Sequence, residues 1–284
     1  MNEPFVIRRI GDSTGEAIVS DYGAHVLRWA PAGSPDVVWQ PKSIFLKSDK
    51  AIRGGIPIIF PWFNSGYDIA GFKRTPKHGF ARISLWRIAE STDTSLRYIL
   101  DSQAIDEHTL EQFYGNAHPQ FHAEVNIAAG ETLTVALTVT NTGDTGFAYE
   151  AALHTYLHVG DALQTRVHGL DGSHFLDTTL PDFPVVRQQG DVTFAGDLVD
   201  RIYLTNNPLE LIDPALGRTI AISSSGATGT VVWNPGETAG NAIGDLDEGE
   251  WRDFVCVEAV ANRERLINLA SGESHTLTQT LSVK

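Results

Sequence analysis

Residues 131–140 read Glu-Thr-Leu-Thr-Val-Ala-Leu-Thr-Val-Thr, and this stretch decides the fold class. Its apolar residues alternate with threonine and alanine: Leu133, Val135, Leu137 and Val139. Successive side chains of a β-strand point to opposite faces, so a period of two residues predicts a strand with one buried face. Residues 276–283 show the same alternation of threonine with leucine and valine. Both stretches therefore predict half-buried strands of a β-sheet.

Further stretches with strand signals are separated by clusters of Gly, Pro, Asn and Asp, which are typical of turns. They are Phe5–Ile10, Ala17–Ser20, Leu96–Leu100, Phe147–Val159, Thr219–Ser223, Thr230–Trp233 and Phe254–Ala259. Only short helical turns are predicted, at Asp106–Phe113 and Ala239–Asp245, and no linker-like segment divides the chain. The sequence therefore predicts an all-β protein in which residues 1–284 form one large antiparallel β-sandwich domain.

The chain has 284 residues and a formal net charge of −14. This charge argues against a nucleic-acid or acidic-membrane partner, because both are polyanions, and an anionic ligand would need a local group of basic residues. The single cysteine, Cys256, leaves no intrachain disulfide and suits a reducing compartment. No apolar run reaches the roughly 18 residues of a membrane helix, and the first residues do not resemble a secretory signal. We expect a soluble, cytoplasmic protein.

The first candidate for acid–base chemistry is His154, within the predicted strand 147–159. The period of two places it on a polar and aromatic face with Glu150, Tyr156 and His158, while the opposite face enters the core. Histidine is suited to proton transfer near neutral pH. The alternative is a strand histidine without a functional role.

The second candidate is Glu258, which interrupts the otherwise apolar stretch 254–260. Because burial of an unpaired charge is costly, a glutamate here has to be paired, solvated or functional. Loss of solvation would raise its pKa and make it a stronger base than a surface carboxylate. The alternative is an ion pair with a distant arginine or lysine.

Two segments could bind an anion. One carries four of the 21 basic residues beside His78: Lys73, Arg74, Lys77 and Arg82. Arginine suits a phosphate or carboxylate because its N–H groups donate in pairs, although a solvated loop is the alternative. In the other segment, Arg53 precedes Gly54-Gly55, a pair that permits positive φ or close approach of the backbone. This second segment is not a phosphate-binding P-loop, since it lacks the Lys-Ser/Thr ending and a following helix.

Other chemistries fit the sequence less well. His154 and His158 are four residues apart, a spacing that brings zinc ligands together on a helix but not on the strand predicted here. We therefore predict no metal site. A Ser-His-Asp triad would need a nucleophile elbow of the form G-x-S-x-G, which is missing. A glycosidase with paired carboxylates stays open, because no pair is singled out among the many acidic residues.

Six motifs occur in order along the chain. They are Arg53-Gly-Gly-Ile-Pro-Ile-Ile-Phe-Pro-Trp-Phe63, Pro76-Lys-His-Gly-Phe-Ala-Arg82, Leu153-His-Thr-Tyr156, Asp200-Arg-Ile-Tyr203, Val231-Val-Trp-Asn-Pro235 and Val255-Cys-Val-Glu258. Together they resemble the D-hexose-6-phosphate mutarotase (glucose-6-phosphate 1-epimerase) branch of the aldose 1-epimerase superfamily, from about Tyr22 to the C-terminus. The resemblance implies a large antiparallel β-supersandwich of the galactose mutarotase-like type, in agreement with the strand patterns.

The resemblance also implies roles for individual residues. His154 would be the general acid and Glu258 the general base. The substrate-binding residues that it implies are Arg53, Lys77, His78, Arg82 and Asp200. A protonated His154 would give a proton to the ring oxygen while Glu258 takes one from the C1 hydroxyl, so that the ring opens and recloses on the other face.

The implied protein is an isomerase that interconverts the α and β anomers of a hexose 6-phosphate, with glucose 6-phosphate as the expected substrate. It needs no cofactor and no metal, since no redox step occurs. We expect a small-molecule substrate as partner and a monomeric protein. The alternatives are a non-catalytic carbohydrate-binding β-sandwich and an aldose 1-epimerase that acts on unphosphorylated sugars.

Overall fold

The computed structural model describes residues 5–67, 73–116 and 118–284. Most of the regular structure in these ranges is β-strand, and the helices α1 (Glu107–Leu110) and α2 (Gly236–Asn241) are short. Turns of 3₁₀ helix occur at Ala81–Ile83, Ser102–Ala104, Ala162–Gln164, Glu250–Arg252 and Arg263–Arg265. The strands are β1 (Ile7–Asp12), β2 (Gly15–Ser20), β3 (His25–Pro31), β4 (Ile58–Ile59), β5 (Arg87–Ser91), β6 (Ser95–Asp101), β7 (Phe121–Ala129), β8 (Leu133–Asn141), β9 (Phe147–Tyr149), β10 (Ala151–Leu153), β11 (Tyr156–His158), β12 (Arg166–His168), β13 (His174–Asp177), β14 (Val185–Arg187), β15 (Val192–Thr193), β16 (Val199–Tyr203), β17 (Leu209–Asp213), β18 (Arg218–Ser225), β19 (Gly229–Asn234), β20 (Phe254–Ala261), β21 (Ile267–Leu269) and β22 (Ser274–Val283). The all-β prediction is confirmed.

Two large sheets contain most of these strands. In the described part of the chain, one sheet has eight strands: β14, β13, β16, β19, β20, β10 and β4 follow one another, and β11 also pairs with β20. The other has nine strands, in the order β15, β12, β17, β18, β22, β8, β7, β6 and β5. Smaller sheets join β1, β2 and β3, and β9 with β21. The strand pairs are antiparallel, as the sequence predicted.

Strands β8 and β22 lie side by side in the nine-stranded sheet, with Leu137 opposite Leu277. Their leucines are buried, whereas their threonines lie on the outer face. There the hydroxyls of Thr138 and Thr276 form a hydrogen bond of 2.8 Å. Cross-strand pairs of this kind contribute about 0.2–1 kcal/mol each to the stability of a sheet. The alternation in residues 131–140 thus describes the observed strand.

The main apolar core joins the inner faces of the two large sheets. One cluster of buried side chains includes Val255 and Val257 of β20 together with Leu137 of β8 and Leu277 of β22. Each buried leucine or valine contributes about 1.5–3 kcal/mol relative to an exposed one. Because side chains alternate along a strand, Glu258 points to the opposite face of β20, away from this core.

The stretch Phe147–Val159 is not the single strand that the period of two predicted. It is divided into β9, β10 and β11 by interruptions at Glu150 and at His154–Thr155. At both interruptions the backbone N–H donates outside the strand ladder, to Pro61 O from Glu150 and to Pro57 O from His154. The residues that divide the strand are therefore held by the segment that follows Arg53, which is distant in sequence.

Helix α1 lies within the predicted turn Asp106–Phe113, and the Asp106 carboxylate caps it by accepting a hydrogen bond from Thr109 N. Helix α2 begins at Gly236, earlier than the predicted Ala239, and the Asn234 side chain accepts a hydrogen bond from Gly236 N just before it. Within the described ranges, no helix is long and apolar enough to cross a membrane.

Candidate active site

Strands β16 and β20 place acidic side chains on one face of the eight-stranded sheet, with β19 between them. Asp200 of β16 lies opposite Trp233 of β19, and Val231 of β19 lies opposite Glu258 of β20. Residues opposite each other on paired strands project to the same face. The regular register therefore brings Asp200 and Glu258 to a shared surface, although they are 58 positions apart in the printed sequence.

The interruption at His154 places its imidazole beside Glu258. Strands β10 and β11 both pair with β20, with Leu153 opposite Ala259 and Tyr156 opposite Cys256. His154 thus falls opposite Glu258 in the gap between the two pairings. The His154 Nε2 atom lies 3.4 Å from Glu258 Oε1. Only 1% of the Glu258 side chain and 11% of the His154 side chain are exposed, so the pair is shielded from bulk water.

A cavity of about 200 Å³ opens over this pair. All seven residues that the motifs predicted line it: Arg53, Lys77, His78, Arg82, His154, Asp200 and Glu258. The remaining lining residues are Phe63, Asn64, Tyr156, Val231 and Trp233. The structure brings the candidate residues together, and their individual roles stay predictions. Tyr156 belongs to the His-Thr-Tyr motif, so its position in the cavity could have been expected from the sequence.

The cations of the cavity differ in how they are neutralised. Arg53 is paired with Asp245, whose oxygens lie 3.1 and 3.2 Å from Arg53 Nε, and its Nη1 donates to the Tyr156 hydroxyl at 3.2 Å. Arg82 donates through Nη2 to the carbonyl oxygen of Lys77 at 2.8 Å, and its Nε is buried without a partner among the described residues. Neither Lys77 nor Arg82 has a carboxylate oxygen of the described residues within 4.0 Å. Two of the three cations of the cavity are therefore without a direct ion-pair partner among the described residues.

The four basic residues of segment 73–82 do not all lie at the cavity. Lys77 and Arg82 line the cavity, but Lys73 and Arg74 do not. Lys73 is exposed, whereas Arg74 is buried, donates to the Gln112 carbonyl oxygen at 2.6 Å and stacks on the Tyr114 ring. Of the four basic residues of this segment, Lys77 and Arg82 therefore lie at the cavity, whereas Arg74 packs against Gln112 and Tyr114.

Two glycines allow the backbone to approach the site closely. Gly55 has a φ of 68°, and a Cβ there would lie 2.2 Å from Nε2 of buried His25. Gly79 has a φ of 71°, and a Cβ there would lie 2.0 Å from the carbonyl oxygen of Phe60. Both contacts are too short for any side chain. The close approach that the sequence predicted for Gly54-Gly55 is therefore present.

His78 is held in a defined tautomer. Its Nδ1 accepts a hydrogen bond from Asn64 N at 3.2 Å, which leaves the proton of a neutral ring on Nε2. Burial, followed by the charge of Arg82, lowers the pKa of His78 well below 6.5. The ring stands edge-on to His154 at a centroid distance of 5.7 Å. His78 is thus a neutral N–H donor next to the His154–Glu258 pair.

Burial shapes the protonation of the central pair. Burial and the nearby Asp200 raise the pKa of Glu258 well above 4.5, although Arg82 opposes this. Burial, together with Arg82, lowers the pKa of His154 to about 3. Both shifts disfavour the charged form of the group concerned, and burial is the largest cause of each.

The alternative of a structural ion pair for Glu258 is not supported. Within the described ranges, no arginine or lysine nitrogen lies within 4.0 Å of its carboxylate, and Oε2 has no hydrogen-bond partner. His154 Nδ1 is likewise without a partner in these ranges. Two buried groups capable of proton transfer thus lie 3.4 Å apart in one cavity. Such an arrangement suits general acid–base chemistry on a small ligand.

Comparison with known proteins identifies the family of the chain. A family model described as aldose 1-epimerase matches residues 7–282. A protein of Escherichia coli K12 named "Putative glucose-6-phosphate 1-epimerase" is 33% identical over 83% of this chain and 76% of its own length. A protein of the same name from Cenchrus ciliaris is 29% identical over 89% of this chain and 76% of its own length.

Solved structures show the same fold. The crystal structure of "a putative mutarotase (YeaD)" from Salmonella typhimurium superposes with a TM-score of 0.84 at 30% identity. The match covers 98% of this chain and 90% of that protein. The fold is galactose mutarotase-like, as the resemblance implied. With the family model and a relative above 30% identity in agreement, the chain belongs to the aldose 1-epimerase family, whose members are mutarotases.

Proposed function

We propose that this mutarotase interconverts the α and β anomers of a hexose 6-phosphate, with glucose 6-phosphate as its substrate. One observation carries the proposal: the cavity that contains the His154–Glu258 pair also contains Lys77 and Arg82, which lack carboxylate partners among the described residues. An unphosphorylated sugar would leave these charges uncompensated. A phosphate would satisfy them through charge-assisted hydrogen bonds, which are about twice as strong as neutral ones.

The phosphate would bind at the end of the cavity formed by Arg53, Lys77 and Arg82. An arginine fork matches the spacing of phosphate oxygens, and lysine adds a compact charge. Asp200, half-buried on β16, would accept hydrogen bonds from sugar hydroxyls. The neutral His78 N–H would donate to a sugar oxygen. The sugar ring would then lie over the His154–Glu258 pair.

In the reaction, Glu258 as carboxylate takes the proton of the C1 hydroxyl, and His154 as imidazolium gives a proton to the ring oxygen. The C5–O bond to the ring oxygen is kept, while the bond between C1 and the ring oxygen breaks to give the open-chain aldehyde. Rotation about C1–C2 presents the other face of the aldehyde, and the two proton transfers reverse as the ring closes. Each positioned proton-transfer group contributes a factor of about 10²–10⁴ to the rate.

The names of the relatives support the substrate. The proteins from Escherichia coli and Cenchrus ciliaris carry glucose 6-phosphate in their names. Membership in a family of enzymes also favours catalysis over the alternative of a non-catalytic carbohydrate-binding sandwich. For this chain, the argument that the substrate carries a phosphate depends on the cations of the cavity.

The test is anomer-resolved NMR or polarimetry on freshly dissolved α-D-glucose 6-phosphate, with α-D-glucose and α-D-galactose as matched unphosphorylated sugars. We expect the protein to accelerate anomer equilibration of the phosphorylated sugar. At the same protein concentration, the unphosphorylated sugars should equilibrate at close to their spontaneous rates. Equal efficiency on galactose would assign the alternative, an aldose 1-epimerase for unphosphorylated sugars. Release of the aryl group from an aryl glycoside would instead identify a glycosidase.

A further inference from the structure

The imidazole of His154 is surrounded by ring contacts and is not anchored through its second nitrogen. In many catalytic histidines, a carbonyl or carboxylate oxygen accepts a hydrogen bond from the ring nitrogen that does not react, and this bond fixes the ring. His154 Nδ1 is buried without such a partner among the described residues. The ring makes T-shaped contacts with His78 and Trp233, at centroid distances of 5.7 and 6.2 Å. Its orientation therefore depends on packing.

Of the described rings, only Tyr156 stacks in parallel on His154. The two centroids are 5.0 Å apart and the two planes differ by 12°. Tyr156 is itself 4% exposed, and its ring contacts Trp39 and Phe254 at centroid distances of 5.9 and 5.2 Å. Stacked rings packed on several sides have little freedom to turn. Tyr156 thus presents a fixed flat surface against which the imidazole lies.

The hydroxyl of Tyr156 links this stack to a cation of the cavity. It accepts a hydrogen bond from Arg53 Nη1 at 3.2 Å, while Asp245 holds Nε of the same guanidinium. Among the described residues, no acceptor takes the proton of the Tyr156 hydroxyl. A phosphate oxygen bound at Arg53 could accept that proton. One side chain therefore contacts both the imidazole and the arginine proposed to bind phosphate.

We propose that Tyr156 has two separable roles: its ring is a positioning group that orients the imidazole of His154, and its hydroxyl holds Arg53 and donates to the phosphate of the substrate. The ring keeps His154 Nε2 beside Glu258 Oε1, at the observed 3.4 Å, so that acid and base face the same sugar. No bond forms or breaks at Tyr156. This inference rests on the proposed function and deepens it, because it names the side chain that joins phosphate recognition to the acid.

Two substitutions at Tyr156 separate these roles in kinetics with α-D-glucose 6-phosphate, after subtraction of the protein-free rate. Tyr156→Phe keeps the ring, so kcat should stay within about twofold of wild type while KM rises about tenfold, because a bond to a charged group is lost. Tyr156→Leu removes the ring as well. Its kcat should fall at least about tenfold, since a displacement of reacting groups by about 1 Å can cost about 10²-fold in rate. An unchanged kcat in Tyr156→Leu, or an unchanged KM in Tyr156→Phe, contradicts the corresponding role.

Tyr203 supplies the matched control. It is a buried tyrosine of the same sheet, its ring lies against Phe175, its hydroxyl donates to Gln188 at 2.7 Å, and it does not line the cavity. Tyr203→Leu should lower the resistance to urea, as Tyr156→Leu does, but keep the kcat and KM of wild type. An equal loss of kcat in Tyr203→Leu would show general loosening of the sheet and overturn the proposal. If Tyr156→Leu does not fold, Tyr156→Met replaces it, because methionine fills irregular gaps.

A direct measurement uses ¹³C relaxation of the His154 ring, with its signals assigned by their loss in His154→Gln. The ring should be rigid in wild type and in Tyr156→Phe, and it should gain fast motion in Tyr156→Leu. Equal rigidity in all three proteins contradicts the positioning role. If wild type fails to accelerate glucose 6-phosphate, the proposed function itself is wrong. If it accelerates glucose 6-phosphate but the variants show neither the kinetic split nor the change in ring motion, only the present inference is wrong.

Discussion

Two regions of the antiparallel sheets differ in their side-chain pattern. One is the strand pair β8 and β22, and the other is the face of β20 that carries Glu258. In β8 and β22, buried side chains alternate with side chains on the outer face, where hydroxyl pairs such as Thr138–Thr276 form hydrogen bonds. Around Glu258, the neighbouring strand is divided at His154, and a carboxyl and an imidazole are buried together. Regular alternation serves stability, whereas the interruption places the imidazole of His154 beside the buried carboxyl of Glu258.

The largest expected effect is on catalysis, in the variant Glu258→Gln. The amide keeps the shape of the side chain but cannot take a proton, so the rate of anomer equilibration should fall by a factor of about 10²–10⁴. The free energy of unfolding should change little, because a buried carboxyl without a cationic partner among the described residues is replaced by a neutral group. Polarimetry and urea unfolding measure the two quantities. A variant as active as wild type would remove Glu258 from the mechanism.

The opposite pattern is expected in the regular region from Leu137→Ala. Leu137 is 1% exposed in the core between the sheets, and its truncation should lower the free energy of unfolding by about 2–5 kcal/mol. The folded variant should retain the kcat of wild type at a temperature well below its transition. Loss of catalysis in the folded variant would show that the two regions are not separable as described.

A further effect is expected from pH, measured as the stability of wild type against that of His154→Gln. The pKa of His154 is lowered from 6.5 to about 3 in the folded state. Between these two pH values, the unfolded chain is protonated at His154 and the folded chain is not. The stability contribution is fully present above pH 6.5 and is lost as pH falls toward 3, with a limiting slope of about 1.4 kcal/mol per pH unit. His154→Gln should lose less stability over this range, and parallel curves for the two proteins would contradict the assignment.

The alternation of side chains along the sequence was sufficient to predict the regular strands β8 and β22. The alternation of residues 131–140 and 276–283 predicted β8 and β22, because both strands bury one face and solvate the other. The motifs also named seven of the residues that line the cavity, because the strands and loops that carry them meet around it. The all-β fold and the family followed from the same stretches.

The interruptions could not be predicted, because their causes lie far away in sequence. His154 N donates to Pro57 O, and the hydroxyl of the adjacent Thr155 donates to the side chain of Gln279 on β22. Glu150 is held by donors from three separate segments, including Phe63 N and Arg263 N. The partner of Arg53, Asp245, belongs to no recognised motif.

The contacts of Arg53 have a consequence for the entropy of binding. Its guanidinium is already held through Nε by Asp245 and through Nη1 by the Tyr156 hydroxyl. A free arginine side chain carries about 2 kcal/mol of rotamer entropy, which a ligand would otherwise have to suppress. Here that ordering occurs during folding and not during association. A weakly held, rapidly exchanged metabolite could therefore meet a rigid donor on each encounter, and the guanidinium would need no rearrangement between turnovers.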